Sequence, residues 1–415
     1  MAEQDESSST AGYSRRRILQ AGAVGLAGAA VPALGSAAAG AATRTRALSG
    51  SRPAAATPIK HIIVCCQENH SFDHYFGTYA KLPAGYGIPN NYTQPDGNGG
   101  TVRPYHFTDL TSDGGDPDHS WDAIHSEWNN GKMNGFYTTN GSVAMGYYKA
   151  RLDLPYYYSL FPKYTLCANY FCGVLSETYP NRLVLYSGTS GGNTSNDISN
   201  GSLNYPCILD LLSEHKISFK NYNFHCPDNY SILALFEKWQ NGGPNNELNQ
   251  SQSRFFSDCS NNTLPAVSFI TEAPPYDEHP PADIQTGMKM IESIITAVQK
   301  SKAWSSTAIL VTYDEAGGFF DHVAPRQLDA YGPGIRVPML IVSPYAKPGH
   351  VDTSFSDHSS VLKFIEHVFG LPTQASVNHQ FDSSTPTSNN QANGAPFPPR
   401  DDKRSLSNLT QCFNF

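Results

Sequence analysis

Two short segments, far apart in the chain, carry side chains that could bind a divalent cation. Glu68 and Asn69 follow the apolar run IIVCC. Asp314 and Glu315 follow the apolar run AILVTY. Carboxylate and carboxamide oxygens suit hard divalent cations, and imidazole would admit zinc. A single acid is commonly a helix cap or an ion-pair partner, but several crowded carboxylates need a cation or raised pKa values. The four residues therefore predict a site for calcium, magnesium, manganese or zinc.

A threonine in the segment SETYPNRLVLYSGTSGG (176–192) is a candidate nucleophile. Pro180 suits the first turn of a helix that begins near Thr178, because that turn needs no N–H from it. The Thr178 hydroxyl would then lie at a helix N-terminus, where backbone N–H groups and the helix dipole favour an anion. Arg182, one turn further on, could grip a phosphate group. The alternative for Thr178 is a plain N-cap residue.

Four histidines lie in polar loops that glycine and proline interrupt. His119 and His125 share the segment DHSWDAIHSEWNNGKMNGF. His279 lies in DEHPP, and His322 follows a glycine pair that permits a tight turn. A lone histidine is more often structural, but four in such loops are candidates for acid–base or ligand roles.

Buried strands and amphipathic helices must position these residues. The predicted strands are apolar, β-branched runs typical of sheets covered on both faces: 61–66, 266–270, 308–313 and 337–343. The predicted helices span 283–300, with Asp283 as N-cap, and 357–370, with Gly370 beyond the last turn. Strands that alternate with helices indicate an α/β fold with a mostly parallel sheet. Ligands bind beyond the carboxyl ends of such strands, so the polar segments that follow the first three runs should share one edge.

Charge and the N-terminal segment limit the class of protein. The chain has 415 residues and a net charge of −8, whereas a nucleic-acid binder usually has a basic face. Residues 1–42 combine the twin-arginine pattern SRRRILQ with a short apolar stretch and small residues, which predicts a cleaved export signal rather than a membrane span. Residues 43–57 are predicted to be a linker. The mature protein is therefore expected to be secreted or held in the cell envelope.

The chain has eight cysteines and no CxxC pair, which argues against a zinc–thiolate site. Disulfides are permitted outside the cell. Bridges between Cys226 and Cys259 or between Cys167 and Cys172 both stay open, because the sequence does not fix the connectivity.

Four motifs, ENHSFDHYFG, TYPNR, DEHPP and TYDEAGGFFDHV, occur in this order. With them, residues 58–371 resemble the bacterial phosphoesterase family that includes phosphatidylcholine-type phospholipases C and related acid phosphatases. That family belongs to the alkaline-phosphatase-like superfamily. The resemblance implies an α/β/α sandwich on one mostly parallel central sheet. It also implies the metal ligands and the nucleophile, which would contact the metal: Glu68, Asn69, Asp314, Glu315 and Thr178.

The resemblance extends to the histidines. His125 and His279 match active-site histidines of the family, which would contact the transferring phosphoryl group or protonate the leaving oxygen. His119 and His322 are expected to bind substrate, and Arg182 is expected to balance phosphoryl charge. Glu177 stands where the family commonly has proline, and its charge would weaken anion binding if it pointed inward.

The expected protein is an exported, metal-dependent phosphoester hydrolase, foremost of the phospholipase C type, that forms a phosphothreonine intermediate. A phosphatase acting on phosphomonoesters is the alternative enzyme, and a non-catalytic phosphate or lipid binder is the remaining candidate. The expected substrate is a phospholipid or a small phosphoester. Residues 372–415 are expected to form an irregular tail, which leaves no room for the additional C-terminal β domains of longer phospholipases. Membrane contact should be peripheral at most, and no obligate protein partner is implied.

Overall fold

An eight-stranded sheet is the centre of the computed structural model, which describes residues 56–226, 231–243, 248–383 and 390–415. Its spatial order is β8–β2–β7–β6–β1–β5–β3–β4. Strand β7 runs antiparallel to both of its neighbours, and the other neighbouring strands are parallel, so the predicted mostly parallel sheet is confirmed. In chain order the strands are β1 (His61–Gln67), β2 (Thr165–Cys167), β3 (Phe219–Phe224), β4 (Gln250–Ser251), β5 (Val267–Glu272), β6 (Thr307–Tyr313), β7 (Met339–Val342) and β8 (Val351–Asp352).

The long apolar runs of the sequence form the middle of the sheet. Strand β1 lies between β5 and β6, with Val64 paired to Phe269 on one side and to Leu310 on the other. Every residue of β5 and β6 is buried, as expected for strands covered on both faces. Because these three strands are parallel, their carboxyl ends meet at one edge, as predicted.

Helices cover this sheet in two groups. Helix α6 packs against α7 and α10, whereas α9 packs against α5 and α8. The α-helices are α1 (Phe72–Phe76), α2 (Trp121–Trp128), α3 (Phe136–Asn140), α4 (Ala150–Asp153), α5 (Pro155–Leu160), α6 (Thr178–Ser187), α7 (Ile208–Glu214), α8 (Gln252–Asn261), α9 (Ile284–Lys300), α10 (Ser359–Phe369) and α11 (Gln374–Val377). Short 3₁₀ helices span Ser112–Gly114, Asn129–Gly131, Gly141–Met145, Ile232–Leu235, Lys302–Ser306 and Thr410–Cys412. Small two-stranded sheets pair Gln94–Pro95 with Thr101–Val102, Tyr105–His106 with Gly146–Tyr147, and Tyr170–Phe171 with Ser356–Asp357.

The two helices predicted from periodicity are confirmed. The Asp283 side chain accepts a hydrogen bond from the backbone N–H of Gln285 and caps α9. Gly370 follows α10 with a φ of 67°, the left-handed conformation that a helix-ending glycine supplies. The predicted apolar face of α9 is buried throughout: Ile284, Met288, Ile291, Ile295 and Val298.

The described C-terminal residues 390–415 pack on the domain. Arg400 is fully buried, and its guanidinium bonds Asp329, Asp357 and the Gly173 carbonyl oxygen. Apart from the 3₁₀ helix Thr410–Cys412 this segment has no regular structure, and it contributes to the buried interior.

The predicted export signal lies wholly outside the described residues, and so does most of the predicted linker. Both stay predictions. Among the described helices, none is long and apolar enough to cross a membrane.

Candidate active site

The loops after β1, β5 and β6 converge at one edge of the sheet. The backbone N–H of Glu68 donates to the carbonyl oxygen of Asp277 (2.8 Å), and that of Asp314 donates to Gln67 (3.0 Å). The N–H of Asn69 donates to Asp314 Oδ1 at 3.1 Å. These bonds continue the pairing beyond the last strand residues. Glu68, Asn69 and Asp314 are therefore brought together.

A turn with two glycines brings Glu315 to the same group. The N–H of Gly317 donates to Glu315 Oε2 (2.6 Å), and Glu315 Oε1 lies 3.9 Å from His119 Nε2. Gly317 has a φ of 64°, and a Cβ atom there would lie 2.2 Å from the carbonyl oxygen of Asn69. Only glycine tolerates both the conformation and this approach.

Thr178 is the first residue of α6, as predicted. Its half-buried hydroxyl donates to Glu68 Oε2 at 3.4 Å. Asn181 holds the loop before the helix, because its Oδ1 accepts from the Val174 N–H (2.7 Å) and its Nδ2 donates to the Glu177 carbonyl (3.0 Å). The nucleophile candidate therefore sits on a rigid helix start and faces the carboxylate edge.

Glu177 is bound within the neighbouring loop. Its Oε1 accepts from the N–H of Asn196 at 2.8 Å, and Asn196 Oδ1 in turn accepts from the N–H of Tyr179 at 2.6 Å. Burial raises the pKa of Glu177. The Glu177 carboxylate is also close enough to His119 to interact with its charge, so the expected weakening of anion binding stays a prediction.

Arg182 contacts two of the predicted metal ligands, and its expected contact with a phosphate group stays a prediction. Nη2 donates to Glu68 Oε1 (2.6 Å), and Nε donates to Asp314 Oδ2 (3.2 Å). Nη2 also reaches the carbonyl oxygen of Cys66 at 3.1 Å. Two buried carboxylates need a nearby positive charge, and the buried guanidinium supplies it. These contacts favour a positioning role for Arg182.

His119 and His279 point into the same space beside Asn69. Nδ1 of each ring donates to a backbone carbonyl, that of Pro117 (2.8 Å) for His119 and that of Pro280 (2.6 Å) for His279. Their Nε2 atoms lie 3.3 Å and 3.0 Å from Asn69 Nδ2. A ring fixed through Nδ1 presents Nε2 for a metal, a proton or an anion.

Nearby carboxylates favour the protonated form of His279. Burial lowers its pKa, but the charges of Glu68 and Asp116 and the bond to Pro280 outweigh burial, and the net pKa is raised.

His125 is not joined to this group by its contacts. Its Nδ1 donates to the carbonyl oxygen of Trp121 (2.8 Å) one turn earlier in α2, and its ring lies 4.0 Å from that of Trp121. Burial lowers its pKa. Its catalytic role stays a prediction that these contacts do not support.

His322 belongs to a separate buried cluster. Its Nδ1 contacts Asp73 Oδ2 (2.5 Å), while Arg336 donates to Asp73 Oδ1 (2.8 Å) and to Asp321 Oδ2 (3.0 Å). The two carboxylates and the ring are close enough to hold a cation, but the fully buried Arg336 already supplies positive charge. These contacts favour a structural role for His322 rather than the predicted substrate contact.

A sequence model of the Phosphoesterase family matches residues 59–372. The chain belongs to this family. It is 30% identical over 388 residues to the non-hemolytic phospholipase C of Pseudomonas aeruginosa, which covers 75% of this chain and 54% of that protein. It is 31% identical over 403 residues to phospholipase C B of Mycobacterium tuberculosis, covering 78% and 76%. The chain thus spans about half the length of the first relative.

Among solved structures, a Vibrio parahaemolyticus protein described as a member of the alkaline phosphatase superfamily aligns with a TM-score of 0.43 and 10% identity. That alignment covers 78% of this chain and 70% of the other. The family match confirms the resemblance drawn from the four motifs, with bounds one residue from those expected.

The charge of this Phosphoesterase-family site fits a divalent cation. Burial, and then the charge of Glu68, raises the pKa of Asp314 to about 6. Burial, and then the charge of Asp314, raises the pKa of Glu315 well above its ordinary value. Arg182 offsets part of this negative charge, and a divalent cation would offset the remainder. Carboxylate and amide oxygens beside two imidazoles do not select among calcium, magnesium, manganese and zinc.

Sequence reasoning missed Glu278, the residue before His279. Its buried carboxylate accepts from the hydroxyls of Tyr75 (2.8 Å), Tyr157 (2.5 Å) and Tyr313 (2.6 Å). Burial raises its pKa to about 7 in spite of these three bonds. The DEHPP motif marked the acid, but the tyrosines come from three distant segments and carry no common signal.

His358 was missed as well. Its Nε2 donates to the carbonyl oxygen of Asp314 (2.7 Å), and its Nδ1 accepts from the Tyr170 hydroxyl (2.9 Å). Burial lowers its pKa to about 4, so the ring is neutral and supports the loop after β6.

Proposed function

We propose that this chain is a phosphoester hydrolase of the phospholipase C type with Thr178 as its nucleophile. The supporting observation is the Thr178 hydroxyl at the start of α6, 3.4 Å from Glu68 Oε2. A helix N-terminus favours an anionic phosphoryl group. The Nε2 atoms of His119 and His279, which lie beside Asn69, would contact the phosphoryl group and supply the proton donor that such a transfer needs.

A divalent cation would be held by Glu68, Asn69, Asp314 and Glu315, beside the Thr178 hydroxyl. When bound, it would lower the pKa of a coordinated hydroxyl and polarise a phosphoryl oxygen. Arg182 would keep two of the ligands in place through its bonds to Glu68 and Asp314.

The steps depend on side chains of this chain. Thr178 Oγ1 attacks phosphorus in line with the bond to the leaving alcohol, and its proton departs toward Glu68 Oε2. As that P–O bond breaks, His279 Nε2 gives a proton to the leaving oxygen. Water then attacks phosphorus as the P–O bond to Thr178 breaks. The water gives a proton to the now neutral His279, and Glu68 returns its proton to Thr178 Oγ1, which restores the enzyme and frees the phosphorylated headgroup. His119 Nε2 would contact the phosphoryl oxygens.

The relatives favour a phospholipid as substrate, because the curated proteins from Pseudomonas aeruginosa and Mycobacterium tuberculosis are both named phospholipase C. The reaction would release diacylglycerol and a phosphorylated headgroup. A phosphatase acting on phosphomonoesters is the alternative outcome of the test below. We also propose export by the twin-arginine route, on the strength of the SRRRILQ pattern in residues 14–20.

The test compares the purified wild-type protein with Thr178→Ala on phosphatidylcholine and on p-nitrophenyl phosphate, with chelator and with divalent cations added back. We expect lipid hydrolysis by the wild type, and a loss of at least about 10³-fold with Thr178→Ala, because the nucleophile is gone. Chelator should abolish activity, and one of the four candidate cations should restore it. Acid-quenched wild-type enzyme should carry a phosphate on Thr178 by peptide mass spectrometry.

Thr286→Ala is the matched control, since Thr286 is also a half-buried threonine in the first turn of a helix, and it should keep full activity. Hydrolysis of the monoester alone would make the protein a phosphatase. Unchanged turnover in a folded Thr178→Ala variant would exclude Thr178 as the nucleophile. If the metal-bound protein hydrolysed neither substrate, the result would favour a non-catalytic binding protein.

A further inference from the structure

Two buried cysteines from distant parts of the chain are in contact. Cys167 ends β2, Cys412 lies near the end of the C-terminal segment, and their Sγ atoms are 3.9 Å apart. Both side chains are fully buried. All eight cysteines lie in the described part of the chain, and all are free thiols there. The partner of Cys167 is thus Cys412 and not Cys172, whose Sγ contacts the carbonyl oxygen of Val174 at 3.5 Å.

We infer that Cys167 and Cys412 are a redox pair that closes to a disulfide in an oxidising environment. A disulfide has sulfurs about 2.05 Å apart, so the two must approach by roughly 2 Å, which side-chain rotation supplies. The backbone is already fixed on both sides of the gap. The carbonyl oxygen of Cys412 accepts from Thr165 Oγ1 (3.0 Å) and from the N–H of Lys347 (2.9 Å).

A metal site at the same place is the competing interpretation, because the Asp352 carboxylate lies close enough to join the two sulfurs around a cation. Its oxygens already accept from Gln411 Nε2 (3.1 Å) and Ser354 Oγ (3.1 Å). Two metal-bound thiolates and a carboxylate would also place excess negative charge in a fully buried position. A disulfide is neutral, which suits this environment better.

The chemistry is thiol–disulfide exchange with a small disulfide as oxidant. The thiolate of one cysteine attacks the oxidant, releases one small thiol and forms a mixed disulfide. The second cysteine, deprotonated, then displaces the other small thiol. Two protein thiols are oxidised and one disulfide is reduced to two thiols. Local opening of the segment around Cys412 would admit the oxidant.

The bond would fasten the C-terminal segment to the central sheet. It would link residues 245 positions apart, and the constraint on the unfolded chain grows with the length of the closed loop. The same segment carries Arg400, whose Nη1 donates to the Gly173 carbonyl oxygen at 2.6 Å, five residues before Thr178. The disulfide would thereby stabilise the packing of the C-terminal segment against the loop that precedes Thr178. The inference of a disulfide stands independently of the proposed reaction.

The experiment equilibrates the purified full chain with oxidised glutathione, denatures it, alkylates the free thiols and measures intact mass and linked peptides. We expect two fewer alkylated cysteines than in the dithiothreitol-treated protein, a Cys167–Cys412 linked peptide, and a midpoint of thermal unfolding several degrees higher. Cys412→Ser should lose both the link and the redox-dependent midpoint. Cys172→Ser, which removes another buried thiol, should keep both.

Three results would overturn the inference. The first is full alkylation of all eight cysteines after oxidation, which needs no variant to interpret. The second is a link that maps to another pair. The third is one equivalent of zinc in the isolated wild-type protein that Cys412→Ser and Asp352→Asn both abolish, since it would establish the metal site instead.

Discussion

At the edge of the sheet that carries the candidate site, ion pairs hold single residues in place, and Arg182 is the clearest case. Its guanidinium separates two buried carboxylates, Glu68 and Asp314, by bonding to both. Removal of one member of a buried ion pair leaves an uncompensated charge, which typically costs about 3–5 kcal/mol. The proposed divalent cation would bind the same two carboxylates. The cation and the Arg182 guanidinium should therefore partly substitute for each other in neutralising them.

Arg182→Met should therefore lower the free energy of unfolding by about 3 kcal/mol in chelator and by less in saturating divalent cation. Urea unfolding under both conditions measures the difference. The control is Arg254→Met, because Arg254 pairs with Asp258 from a half-exposed position and should cost no more than about 1 kcal/mol. A variant as stable as wild type in chelator, but with a raised KM, would support the phosphate-gripping role.

Residue types in the sequence indicated the candidate metal ligands but not the residues that hold them in place. Glu68 and Asp314 could be found because each follows a long apolar run, and parallel strands end at one edge. The partner of His322 could not be found, because Asp73 lies 249 positions away and nothing local marks it. The contacts of Arg182 with Glu68 and Asp314 could not be predicted either, because both acids are distant in the sequence. A guanidinium binds a phosphate and a carboxylate equally well, so the residue type did not distinguish the two.

At the scale of elements, the turn after β6 decides whether the loops of the site can meet. Gly317→Ala would place a Cβ atom 2.2 Å from the Asn69 carbonyl oxygen, so the β6 turn or the β1 loop must move. We expect a loss of about 2–3 kcal/mol in unfolding free energy and a fall in activity of at least about tenfold. Thermal unfolding and steady-state kinetics measure both effects.

Gly99→Ala separates the strain of the backbone from the collision. Gly99 also has a positive φ, 90°, but a Cβ atom there meets nothing within 4 Å. This variant should lose about 1 kcal/mol and keep its activity. Equal effects of the two substitutions would mean that the close approach of the two loops has no role in the site.

Strands and helices could be predicted where the hydrophobic pattern and the length of a segment indicated the same type of element. The runs that became β1, β5 and β6 and the face of α9 are long, apolar and regular. Strand β3 was missed because FKNYNF buries two asparagines, which bond each other at 2.6 Å instead of forming an apolar run. Strands β4 and β8 have two residues each, which is too short for a hydrophobic alternation to be recognised in the sequence.

At the scale of the whole molecule, buried acids set the dependence of stability on pH. Burial raises the pKa of Glu278 to about 7 and those of Glu272 and Glu366 well above their ordinary values. Buried neutral histidines act in the opposite sense: burial lowers the pKa of His70 to about 3 and that of His358 to about 4. An unfolded histidine releases its proton near pH 6.5, so above that pH these two neutral histidines no longer contribute. The raised pKa values of the buried acids and of His279 then lower the free energy of unfolding as pH rises.

Glu272 isolates this effect, because neither of its carboxylate oxygens has a hydrogen-bond partner among the described residues. Above the pKa of an unfolded glutamate, about 4.3, the folded state keeps a proton there that the unfolded state has released. The free energy of unfolding therefore falls as pH rises, by up to about 1.4 kcal/mol per pH unit. Glu272→Gln should match wild type near pH 4 and exceed it increasingly as pH rises, by at most about 1.4 kcal/mol per pH unit, measured by urea unfolding in chelator. Glu292→Gln, an exposed acid on α9, should follow the wild-type curve at every pH. A Glu272→Gln curve parallel to wild type would mean that this carboxyl is ionised in the folded protein.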